Sequence, residues 1–300
     1  VLPRPEPRKP TFGEESLTPE LRKVWQEFHR DVAVLAFPTP AGDARIADVD
    51  EKALYSRAPY TSQPGVKPFL TAPANLPEAP ADHVVVPETV VDLTDKLDAD
   101  GRLVWDVPPG DWTVLRFGRR ITGHTTHPAP EPGLGLESDK FDRAAIEAHF
   151  AAFIETLLRK TGAPKRPGRG LTTLHFDSWE MSAQNWSEQF REEFTKRRGY
   201  DPLRFLPAMT GRVVGSAQVS ERFLWDLRQT GQELVIENHL GRLKELGREY
   251  GFDLSVEPYD MNPSSDLALG GVADVPMCEF WSDGWNFPTE YSCFEATSVA

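Results

Sequence analysis

Four stretches of this sequence set a carboxylate just beyond an apolar run. They are Asp177-Ser178-Trp179-Glu180, Glu257-Pro258-Tyr259-Asp260, Glu279-Phe280-Trp281 and Gly135-Leu136-Glu137-Ser138-Asp139-Lys140, the last reached through Gly123-His124-Thr125-Thr126-His127. Cleavage of a glycosidic bond uses two carboxyl groups, one raised in pKa to give a proton and one ionised. Sugars lay their C–H faces on aromatic rings and bond their hydroxyls to charged and amide groups. Trp179, Trp186, Tyr259, Trp281 and Trp285 offer such rings, and Gln184 and Asn185 offer amides. An indole beside Glu180 would also desolvate that carboxyl and raise its pKa, as a general acid requires. Glu180 is therefore the candidate catalytic acid. Glu137, Asp177, Trp179, Asn185, Trp186, Glu257, Tyr259 and Trp281 are candidate substrate contacts. Each taken singly has a plainer role, since a Glu after a strand also serves as a loop residue or helix cap and a Trp as packing. Recurrence at successive strand ends is what points to chemistry.

His124 and His127, followed by Glu131, Glu137 and Asp139, allow three readings. The imidazoles suit sugar hydroxyls, or a structural or solvent-facing role. As metal ligands they sit in a Pro-rich spacing that matches no zinc pattern. A hard cation such as calcium would take oxygen ligands instead, which are plentiful here. No phosphate-binding glycine loop is present, because Gly133-Leu134-Gly135 lacks the third glycine and the strand-to-helix setting. Ser178 lacks the flanking glycines of a nucleophile elbow. Asp226 and Arg228 sit among Phe223, Leu224 and Leu227 on a helical pattern and read as structural.

The elements that must position these residues follow a strand–helix rhythm. Thr18-Pro19 opens a helix to about Arg30, with Leu21, Val24, Trp25 and Phe28 on one stripe. The uninterrupted run Val32 to Phe37 predicts a strand buried on both faces, as in parallel sheets. Seven prolines between Pro59 and Pro87 make that stretch an extended loop. A small antiparallel element is expected from Thr89 to Leu93 and Leu103 to Trp105, turning at Asp100-Gly101. Together they form a Pro-rich and β-rich insertion over 58–106. Trp112 to Phe117 is a second buried strand. An amphipathic helix near Arg143 to Lys160 carries Ile146, Phe150, Phe153, Ile154 and Leu157. Leu171 to Phe176 is a third strand. Helices at Ser187 to Arg198, closed by Gly199, and at Ser220 to Tyr250, long or broken, come next. Phe252 to Val256 and Val272 to Phe280 are the fourth and fifth strands, and Tyr291 to Ala300 reads as a helix. This rhythm implies parallel strands with crossover helices, in a closed barrel or an open doubly wound sheet. In both, functional groups gather at the carboxyl ends of strands.

The formal net charge is -13, from 46 acidic and 33 basic residues. A surface this negative disfavours nucleic acid. The tight basic cluster Lys196-Arg197-Arg198 sits where it complements a helix dipole. No run approaches the roughly 18 apolar residues of a membrane helix. Cys278 and Cys293 are too few for a disulfide framework or a cysteine-based zinc site. The chain starts at Val1 with no leader and stops at Ala300 inside a helical pattern, so a fragment of a longer protein is expected.

Pro109-Gly110-Asp111-Trp112-Thr113 through Arg116-Phe117-Gly118, Gly135 to Lys140, Asp177 to Glu180 with Gln184-Asn185-Trp186, Arg197-Arg198-Gly199-Tyr200-Asp201-Pro202, and Glu279-Phe280-Trp281 resemble glycoside hydrolase family 106. The resemblance runs from about Val32 to Ala300. It implies a (β/α)8 TIM-barrel catalytic domain spanning 1–300 and incomplete at its C-terminus, since only five strands are identifiable. It also implies bacterial proteins, periplasmic or secreted, that release terminal L-rhamnose from plant glycans with inversion. Glu180 matches the proposed general acid. Glu279 matches a carboxylate associated with an active-site calcium ion and with sugar binding. The general base is expected on a strand after the helix at Tyr291, beyond Ala300. Another exo-glycosidase on the same fold, for fucosides or uronides, and a non-catalytic carbohydrate-binding relative are the alternatives.

Overall fold

The computed structural model describes residues 1–8, 17–56, 76, 78–126, 129–130, 133–162, 170–178, 183–258, 265–278 and 289–300, leaving aside the side chains of 289–292 and 295. In chain order the elements are α1 (Pro19–Glu27), β1 (Arg30–Pro38), α2 (Val49–Lys52), β2 (Val91–Asp92), β3 (Trp112–Arg119), α3 (Arg143–Phe150) and α4 (Thr156–Thr161). There follow β4 (Thr173–Phe176), α5 (Phe190–Arg198), α6 (Ala217–Leu234), α7 (Arg242–Glu249), β5 (Asp253–Val256), α8 (Asp266–Gly270), β6 (Val275–Pro276) and α9 (Thr289–Val299). They divide into two units. One comprises Val1–Ala53, Phe69–Glu137 and Phe190–Leu227, the other Leu54–Pro68, Ser138–Gln189 and Arg228–Ala300.

In the first unit the apolar run of β1 is the middle of a three-stranded sheet ordered β2-β1-β3, and both pairings are antiparallel. This corrects the parallel reading of β1 and β3. A continuous apolar run reports burial on both faces, and an antiparallel central strand meets that condition as well as a parallel one does. Val34 and Ala36 face Leu93, with Leu97, Leu103, Trp105, Trp112 and Val114 around them. Ala33, Leu35 and Phe37, on the opposite face, are also fully buried. The expected pairing of 89–93 with 103–105 gives way to pairing of Val91 and Asp92 with β1, leaving one bridge between Leu97 and Leu103. The turn at Asp100-Gly101 is present, with Gly101 at φ 77°. Across a β-bulge, Arg116 donates to both carboxylate oxygens of Asp31, at 2.7 and 2.9 Å. That fork holds the Asp31 carboxyl below its ordinary value.

Local chemistry sets the helix ends of this unit. Thr18 Oγ1 accepts from the Leu21 amide at 3.3 Å to start α1. Gly199, at φ 79°, closes α5 by donating to the Thr195 carbonyl. Phe190 and Phe194 of α5 join Tyr200, Phe205 and Phe223 in one aromatic cluster, with Phe194 edge-on to Tyr200 at 5.1 Å. Asp226 has the structural role expected of it, accepting from the Tyr200 hydroxyl at 2.9 Å. Burial, then that bond, push the phenol far above its ordinary range.

In the second unit three strands, ordered β4-β5-β6, run parallel. Among the described residues three strands, not five, have this direction, in a mixed α/β fold. Leu174, Leu254 and Val256 are buried on one face of the sheet. There α7 comes close, because a Cβ on Gly247 would lie 3.0 Å from a methyl of Leu174. The helix predicted for 143–160 is α3 and α4 joined through a π-helical turn at Ala151–Glu155. The long helix predicted for 220–250 runs through a second π-turn, Val235–Gly241, between α6 and α7. His239 in that turn is buried and edge-on to Phe176, with ring centroids 5.3 Å apart. Burial drives its imidazole well below the ordinary value, helped by the charges of Lys140 and His149.

Two outcomes follow for stability. Truncation of Phe194 to Ala should cost about 3–5 kcal/mol, read from denaturant unfolding of the chain. His239 binds a proton in the unfolded state more readily than in the folded one. Its contribution is therefore fully present above about pH 6.5 and is lost as pH falls towards the depressed folded value. His239→Phe should flatten that acid limb in unfolding midpoints measured from pH 8 to 5.

Candidate active site at the ends of the parallel strands

Register builds the site. β4 and β5 pair with His175 opposite Ser255 and Phe176 opposite Val256. The ladder continues one step, the Glu257 amide donating to the Phe176 carbonyl at 3.0 Å. Side chains alternate along a strand, so His175, Asp177, Ser255 and Glu257 share the face opposite Leu174 and Val256. Just past β6, the Met277 amide donates to the Val256 carbonyl at 2.9 Å, and the Met277 thioether joins the same group.

The polar contacts on this face have a direction. Ser255 Oγ donates its single proton to Met277 Sδ at 2.8 Å. The same oxygen lies 3.1 Å from His175 Nδ1, and with its proton spent it accepts there. His175 Nδ1 is therefore the donor in that contact. One nitrogen of His175 and one oxygen each of Asp177 and Glu257 lie within 4.8 Å of one another. A hydrogen bond from Glu257 holds the Asp177 carboxyl below its ordinary value, against the effect of burial. The Ser178 amide, at 2.9 Å, and the charge of His175 act in the same sense. The direction makes Asp177 the partner that ionises more readily.

This arrangement can accept hydrogen bonds from vicinal hydroxyls and can hold a hard cation between oxygens. The nitrogen of His175 would suit zinc better than calcium. An inverting glycosidase needs its two carboxyls roughly 6.5–9.5 Å apart to admit a water. Asp177 and Glu257 are too close for that and are linked to each other. The structure brings these two candidate substrate contacts together.

A second polar group in this unit joins two of the motifs. Gln184 Oε1 accepts from the Lys140 amide at 3.0 Å, and Gln184 Nε2 donates to Asp139 Oδ1. Asp139 also accepts from the Phe141 amide at 3.0 Å, and Asn238 donates to the Phe141 carbonyl at 2.8 Å. The stretch ending in Asp139-Lys140 and the stretch Gln184-Asn185-Trp186 are thus stitched together, with Asn185 and Trp186 half-buried beside the stitch. His124 and Glu137 lie in the first unit, where the Glu137 amide donates to the His124 carbonyl at 2.9 Å and the His124 side chain is buried. His127, Trp179, Glu180, Tyr259, Glu279 and Trp281 lie outside the described residues.

His175, Ser255 and Met277 are not among the residues that the strand-end pattern singles out. A signal for two of them exists in the strands themselves. His175 and Ser255 each interrupt an apolar run two positions before an acid, which is the period of one strand face.

The chain belongs to glycoside hydrolase family 106. The model of that family, described as alpha-L-rhamnosidase, matches residues 8–299. The fold is similar to that of a rhamnosidase from Novosphingobium sp. PP1Y, with 32% sequence identity and a TM-score of 0.72 over 86% of this chain and 24% of that one. The sequence is 36% identical over 260 residues to a putative beta-glucuronidase from Formosa agariphila, covering 87% of this chain and 21% of the relative. The chain therefore spans about a fifth to a quarter of the length of these relatives. Among the described residues no helix is long and apolar enough to cross a membrane.

The link between the two acids is open to test. Glu257→Leu should raise the Asp177 carboxyl towards an ordinary value near 3.9, followed by carbon NMR of labelled Asp side chains. An unmoved Asp177 would show that Glu257 is not its donor.

Proposed function

We propose that this chain forms part of an exported bacterial enzyme, an exo-acting, inverting α-L-rhamnosidase that releases terminal L-rhamnose from plant glycans. The observation that carries this reading is the Asp177–Glu257 pair at adjacent strand ends, in a chain of a glycosidase family. Asp177 opens the segment that leads in three residues to Glu180. The pair accepts hydroxyls of the terminal sugar and His175 Nε2 accepts a third, fixing the ring. Glu180 then donates its proton to the glycosidic oxygen as the C–O bond breaks. A second carboxylate takes a proton from the water that attacks the opposite face of the anomeric carbon. The new C–OH bond and the freed alcohol balance the step.

Calcium, implied by the family resemblance, fits the oxygen donors of Asp177 and Glu257, with Glu279 as the further carboxylate. When bound, it would supply hydroxyl coordination and offset the charge of the pair.

A second reading, a uronidase, is favoured by the name of the Formosa agariphila relative. Electrostatics weigh against it. The described cluster already sets the readily ionised Asp177 beside a second carboxyl, and a uronate would add further negative charge. A neutral deoxysugar meets no such repulsion.

In the full-length protein, Glu180→Gln should lower kcat on an unactivated α-L-rhamnoside roughly 10²–10⁴-fold. The loss should be much smaller on a dinitrophenyl rhamnoside, whose leaving group needs little protonation. Equal losses on both substrates would remove Glu180 from the role of acid. Asp177→Asn should act mainly on KM. In a panel of chromogenic glycosides the rhamnoside should be cleaved and the β-D-glucuronide not, and the reverse would install the uronidase.

A further inference from the structure

Cys278 and Cys293 are distant from any strand-end chemistry in type, yet they meet. Their Sγ atoms are 3.9 Å apart, the contact distance of two thiols. We propose that these two residues are a disulfide-forming pair, closed by a low-molecular-weight disulfide oxidant such as glutathione disulfide, and that the bond ties the exit of β6 to α9.

Three observations support it. Each cysteine sits next to a fixed element. Cys278 follows Met277, whose amide is bonded to the Val256 carbonyl of β5. Cys293 lies within α9, which packs so closely on α8 that a Cβ on Gly270 would stand 2.8 Å from a methyl of Val299. Both side chains are half-buried, so a small oxidant reaches them while the fold holds them together. Forming an S–S bond of roughly 2.05 Å asks the two sulfurs to approach from their present 3.9 Å. The residues between them include Glu279 and Trp281, two candidate site residues, so the bond would fasten both ends of that segment.

The chemistry balances by thiol–disulfide exchange. One cysteine thiolate attacks glutathione disulfide, forming a mixed disulfide and releasing one glutathione thiolate. The second cysteine thiolate attacks the protein sulfur of that mixed disulfide and releases the other. The chain loses two protons and two electrons, and the oxidant leaves as two glutathione molecules.

The test is peptide mapping of the folded full-length protein under non-reducing conditions, after incubation with glutathione disulfide and trapping of remaining thiols by alkylation. The expected result is a peptide pair joining Cys278 to Cys293, which separates on reduction, with neither residue alkylated before reduction. In Cys278→Ser, Cys293 should instead appear as a glutathione adduct or an alkylated thiol. Alkylation of both residues in the oxidised native protein would overturn the proposal. So would stable glutathione adducts on each, or cross-links from either to another cysteine.

Discussion

The site depends on one constraint, the in-register parallel pairing of β4 with β5. A parallel ladder sets equivalent positions of two strands side by side, and here it does so twice on the same face. His175 meets Ser255, and Asp177 meets Glu257 one step further. Slippage by one residue would turn these four side chains to the other face and put Leu174, Phe176, Leu254 and Val256 in their place. Burial of Leu174, Leu254 and Val256 under the helices therefore fixes the polar face as firmly as any hydrogen bond on it. The apolar side is the positioning device of the polar side.

That device also explains the electrostatics. Two carboxyls held at adjacent strand ends cannot both ionise without cost, and Asp177 is the one held below its ordinary value. The direction is set locally. Asp177 has the Ser178 amide and the His175 ring in its favour, so it takes the charge. His175 is in turn oriented through Ser255 and Met277. The polarity of the site thus descends from Met277, just past β6, through Ser255 of β5 to His175 of β4.

Features governed by neighbours in sequence were legible in advance. Thr18 starts α1, Gly199 ends α5, and strands occur at 173–176 and 253–256 because propensity, capping and apolar runs are local properties. Asp177 and Glu257 were legible as candidates because both follow such runs, and the structure places them together. Sheet direction was not, since β1 and β3 bury the same residues whichever way their neighbours point. The relay on the polar face was not legible either. His175 and Ser255 are 80 residues apart, and Ser255 and Met277 are 22 apart. No pattern short of the paired register announces that they touch. Both π-turns were invisible for a further reason, because one widened turn barely alters an amphipathic stripe.

Gly247 has a bearing that reaches past its place in α7. Its missing side chain lets the helix lie against Leu174, two positions before Phe176 and three before Asp177. A Cβ there would press on a Leu174 methyl on the back of β4, which must yield by a few tenths of an ångström to admit it. The carboxyl pair is thus exposed to mutation from a position that no ligand could touch. Its freedom to vary is governed from the rear of the sheet, by the thickness of a single hydrogen.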